Sequence, residues 1–165
     1  MPTFAERATA LVETAHQFAQ ANQDWPALQR LLHDDIDPVR WVFVTTVGGA
    51  FIAMQLLFVA GASEDEGMEV AQALYETLGA WDPDGRAAYS DCGQFFNHHF
   101  DQFGDSREYR AKQGLLIADG VGHWVVFNVL RRAPRDDEIV AVRAVGVALF
   151  NTFSDWWGVD LGTIG

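Results

Sequence analysis

The segment from Trp41 to Ser63, WVFVTTVGGAFIAMQLLFVAGAS, runs for twenty-three residues without a charged side chain. Three structures compete for it: a membrane span, one buried helix, or a strand pair folded back at its glycines. Length alone permits a span. Content argues against one: Thr45, Thr46, Gln55 and three glycines dilute the segment, only Arg40 flanks it, and its far side is acidic with no basic anchor. A helix would start well at Asp37-Pro38, an N-cap followed by proline, and Gly61 would end it. Its centre, however, would hold Gly48-Gly49, and each interior glycine costs about 1 kcal/mol against alanine. The flanks Trp41–Val47 and Ala50–Ile52 are β-branched and aromatic, and Gly-Gly is a favoured two-residue hairpin turn. The segment is therefore expected to be a hairpin, with strands at 40–47 and 50–60.

Working outward, a second hairpin is expected downstream. Residues 114–119 lead through Asp119-Gly120 into 122–132, a run dense in Val, Phe and Trp. Helices are expected around these strands. Phe4, Ala8, Leu11, Val12, Ala15, Phe18 and Ala19 mark an amphipathic helix over 3–21, and a short one follows near Pro26 with Leu28, Leu31 and Leu32. Ser63 and Glu66 form a capping pattern opening a helix through Val70, Leu74 and Leu78. Another helix is expected from Arg86 to Phe103. The clearest period is the last, where Ile139, Val142, Gly146, Leu149, Phe153 and Trp156 recur after Asp136 and Asp137. The fold class this predicts is α+β, one antiparallel sheet of two hairpins covered by helices, with an all-α helical bundle as the alternative. One domain over 1–165 is expected from the length.

Composition narrows function. The chain has 165 residues, 49% of them apolar and 13% aromatic, with a net charge of −12. Between Gly61 and Arg110 eleven acids face three bases, so direct nucleic-acid binding is not expected, for want of clustered Lys and Arg. A single cysteine, Cys92, forbids an internal disulfide, and no secretory pattern opens the chain; a cytoplasmic location is the expectation.

The order helix, strand pair, acidic helices, strand pair, final helix resembles sensor domains of the GAF and PAS type. Trp124–Arg132 followed by Asp137-Glu138 and an apolar helix is similar to the ending of the sensor domains that precede LuxR-type DNA-binding modules, and Tyr75 with Trp81-Asp82-Pro83 matches an aromatic and Asp-Pro region of that group. The likeness covers about half the chain, Tyr75 to Phe153. It implies an α+β fold enclosing a small-molecule pocket and pairing of subunits through terminal helices.

No motif names a reaction. Glu13-x-x-His16 has metal-site spacing but no second copy, adjacent His98 and His99 diverge on a helix, and His123 has no carboxylate partner in view. Asp91 beside Cys92 opposes thiolate formation. No metal and no cofactor is expected. The aromatics with a polar handle near the expected sheet, Trp41, Tyr75, Trp81 and Trp124, are the candidate ligand contacts, with Asp82 as an anchor or a turn residue. Trp156-Trp157 is the candidate subunit interface, implying a homodimer. The expected function is a non-catalytic sensory or regulatory domain binding a small apolar ligand or a protein partner. The alternatives are a SnoaL-like cone-shaped α+β protein, suggested by residues 19–35, and an acidic inhibitor or assembly factor that binds a basic partner.

Overall fold

The first hairpin is a helix. The computed structural model describes residues 3–32 and 34–157, and among these it has eight α-helices, one 3-10 turn and no β-strand. In chain order they are α1 (Phe4–Ala21), α2 (Pro26–Leu31), α3 (Pro38–Val59), α4 (Glu64–Trp81), α5 (Gly85–Phe103), α6 (Arg107–Ala111), α7 (Gln113–Leu130) and α8 (Ile139–Trp157), with the 3-10 turn at Asp136–Glu138. The architecture is the all-helical alternative.

Residues 40–47 and 50–60 are continuous in α3. Asp37 caps it, its Oδ1 accepting from the Val39 N–H at 3.0 Å, and Pro38 occupies the first turn, where it needs no hydrogen bond. Gly48 and Gly49 are points of close approach within that helix. A Cβ on Gly48 would lie 2.6 Å from Cγ2 of Val125 in α7, and one on Gly49 would lie 2.9 Å from Cβ of Ala15 in α1. Dispersion and apolar burial between helices this near offset the propensity lost.

Residues 114–119 and 122–132 are likewise no hairpin. They form α7 and its exit, and Asp119-Gly120 is helical rather than a turn. Gly122 faces the Val142 carbonyl and Gly146 of α8, and Gly146 faces the Ala118 carbonyl of α7, so these two helices cross nearly backbone to backbone. With no sheet among the described residues, the GAF and PAS resemblance fails, and the SnoaL-like cone has no strands to be built from.

Both mispredicted segments are apolar on every side, the pattern of a helix surrounded by protein. α3 packs against α1, α4, α5, α7 and α8, and α7 against α3, α5, α6 and α8. The helices around this pair are amphipathic. α1 turns Ala8, Leu11, Val12, Ala15 and Ala19 inward, α4 turns Val70, Leu74 and Leu78, and α8 turns Val142, Val145, Leu149, Phe150 and Phe153. α3 is long and apolar enough to cross a membrane, yet 72% of its most apolar window is buried against these neighbours.

The predicted caps hold in part. Ser63 Oγ accepts from the Glu66 N–H at 3.1 Å, with three acids in the first turn of α4. A reciprocal box unforeseen in the sequence opens α1, where Thr3 and Glu6 exchange bonds of 3.1 and 2.8 Å. Asp136 and Asp137 lie in the 3-10 turn, and α8 follows it. Glu138 is fully buried there, held by both terminal nitrogens of Arg132 at 2.7 and 3.1 Å.

Candidate functional site

The outer side of α8 floors a groove of about 890 Å³. Apolar side chains make most of its surface: Ile139, Val140, Val142, Ala144, Val147 and Ala148 from α8, Phe103 from α5, and Trp25 from the turn before α2. Its polar groups converge from three other helices and from α8 itself. Asp119 and His123, one turn apart on α7, His99 on α5, Glu108 and Tyr109 on α6, and Arg143 on α8 all line it.

These groups form one network. Asp119, 6% exposed, accepts from Nε and Nη2 of Arg143 at 3.2 and 2.7 Å and from the Tyr109 hydroxyl at 2.7 Å. Arg143 Nη2 also reaches Glu108 at 3.0 Å. The His99 ring lies 6.3 Å from that of His123, 6.0 Å from Tyr109 and 5.0 Å from Phe103. Its Nε2 is buried and has no hydrogen-bond partner among the described residues.

The electrostatics follow from burial. The phenol of Tyr109 is held well above its ordinary value by burial and by its bond to Asp119. Arg143 is raised by its bonds to Asp119, so it stays charged. His99 is lowered by burial and then by the neighbouring His123, with Asp119 acting weakly in the other direction; His123 is lowered by burial. Both imidazoles are therefore neutral near pH 7, each able to donate one hydrogen bond and accept another. The site can hold and orient a polar group at the end of an apolar cleft. Compared with known family models, curated proteins and solved structures, the chain matches none.

None of the five ligand contacts expected from the sequence lines this groove. Trp41 is a core residue whose Nε1 donates to the Ala19 carbonyl at 3.0 Å. Trp124 is also buried, its Nε1 donating to Asp91 at 2.9 Å. Tyr75 stands on the exposed side of α4 with the Arg86 guanidinium 5.3 Å above its ring. Trp81 stacks on Phe43 at 5.7 Å and meets His16 edge-on at 5.9 Å. Asp82 ends α4, its Oδ1 accepting from the Asp84 N–H at 2.8 Å, which is turn chemistry. The side chains of Trp156 and Trp157 lie outside the described residues.

Cys92 is fully buried, and burial, then Asp91, pushes its thiol well above the ordinary range. Among the described residues no three His, Cys, Asp or Glu side chains are grouped to hold a metal ion. A second cleft of about 270 Å³ lies between Phe58 and Val59 of α3 and Phe96 and Phe100 of α5; it has no charged lining. The sequence signal for this groove is Asp119, a lone acid in an otherwise uncharged segment from Gln113 to Leu130.

Proposed function

We propose that this chain is a non-catalytic binding domain for a small, mainly apolar ligand seated along α8, with its polar end against Asp119, Arg143, Tyr109 and the two histidines. One observation supports this above the others: an apolar-walled groove of about 890 Å³ ends on a converged polar cluster. Small-molecule sites typically have about 300–1,000 Å³, apolar walls and a few placed polar groups, so size and chemistry both fit. A binding role fits the protonation states better than catalysis does. The phenol of Tyr109, though bonded to Asp119, and the guanidinium of Arg143 hold their protons, and no Cys, Ser or Thr is among the described residues that line the groove.

The test uses Trp25, which lines the groove, as reporter. Screening apolar compounds by tryptophan emission and thermal melting is expected to find ligands that raise stability by about 2.7 kcal/mol at a hundred times their Kd. Ala144→Trp fills the groove from its half-exposed floor and should remove that gain while leaving the unliganded melting temperature within a few degrees. Equal binding by this variant, or silence across a broad set of apolar compounds, refutes the assignment.

A further inference from the structure

The end of the groove has its charges already committed. Asp119 and Glu108 place two anions against the one cation of Arg143, and two nitrogens of that guanidinium, Nε and Nη2, are engaged with them. An anionic ligand head would therefore meet a net negative cluster. An ammonium head would have to lose water beside the guanidinium, and the uncommitted buried partner it would find among the described groove residues is a neutral imidazole nitrogen.

That nitrogen is Nε2 of His99. The residue is 7% exposed, lines the groove among Phe103, Tyr109 and His123, and leaves Nε2 without a partner. A buried polar atom of this kind calls for a partner. A hydroxyl supplies one whichever ring nitrogen bears the proton, because it donates to a bare Nε2 and accepts from Nε2–H. Beyond it Val142, Ala144, Val147 and Ala148 continue along α8 as an apolar stripe, with the amide of Asn151 one turn past Val147.

We infer that the groove takes an uncharged molecule with an apolar body and a terminal hydroxyl, and that this hydroxyl bonds Nε2 of His99. The inference rests on the ligand-binding role proposed above and adds the head-group class to it. Three probes of equal chain length separate the two: 1-decanol, decanoate and decylammonium, titrated calorimetrically at pH 7.5 below their aggregation limits. Decanol is expected to bind about tenfold tighter than decanoate, with decylammonium between them. His99→Phe keeps a flat ring but removes both nitrogens, so decanol should weaken about tenfold while decanoate moves less than about twofold, and the preference collapses.

Decanoate or decylammonium binding as tightly as decanol would overturn the head group while leaving the binding site in place. So would an undiminished preference in His99→Phe. No binding by any of the three would remove the site and the head group together. If His99→Phe does not fold, the wild-type ranking decides alone.

Discussion

Asp119 sits in a helix with no other charge, at 6% exposure, and that placement fixes its neighbours. A carboxylate this buried needs hydrogen bonds in place of those it loses to water, and it has three, from Arg143 twice and Tyr109 once. Removing one member of a buried ion pair costs about 3–5 kcal/mol when the other is stranded. Arg143 is 44% exposed and keeps Glu108, so its charge is not stranded. Asp119→Ala is therefore expected to destabilise by only about 1–2 kcal/mol, measured by urea unfolding. A loss above about 4 kcal/mol would mean that the guanidinium is far less hydrated than its exposure indicates. The sequence reading missed this residue for a local reason. Asp-Gly between apolar runs has the chemistry of a tight turn, and nothing adjacent announces Arg143, twenty-four positions away.

Helices with one wet side were legible. α1, α4 and α8 alternate buried and exposed residues at three- and four-residue steps, so their periods gave both type and facing. α3 and α7 have no such alternation because other helices surround them, and a uniform apolar run has no period to read. Their Val, Phe and Trp content then favoured strands on propensity, and tertiary burial overrode it. Only the Asp37-Pro38 opening stated the helix directly. The glycines that suggested turns instead mark where helices touch. At Gly146 a Cβ would strike the Ala118 carbonyl, a backbone atom that cannot rotate away. Gly146→Ala should thus destabilise by about 2–3 kcal/mol despite alanine's better helix propensity. A gain in melting temperature for this variant would show that α7 and α8 can separate at little cost.

For the molecule as a whole, the two groove histidines make stability depend on pH. Both have folded values below the ordinary 6.5 or so of an unfolded chain, so on acidification the unfolded state takes up protons first. Stability should be greatest above about pH 6.5, fall as pH drops below that value, and level off once the folded histidines are protonated as well. Asp119, Glu108, Tyr109, Arg143 and His98 surround the pair, so the double variant His99→Phe, His123→Phe is the control; its urea midpoint should fall less between pH 7.5 and 5.0 than that of the wild type. An identical fall would assign the dependence to other groups. The central position of α3 also bears on synthesis. Val59 leaves the ribosome ahead of Gln113 by the 53 residues from 60 to 112, or about 3–10 s at roughly 5–20 residues per second. Throughout that interval a helix as greasy as a bilayer span lacks Val125 of α7 and Leu149 of α8, against which Gly48 and Gly49 pack, so the nascent chain exposes an apolar surface that the folded protein hides.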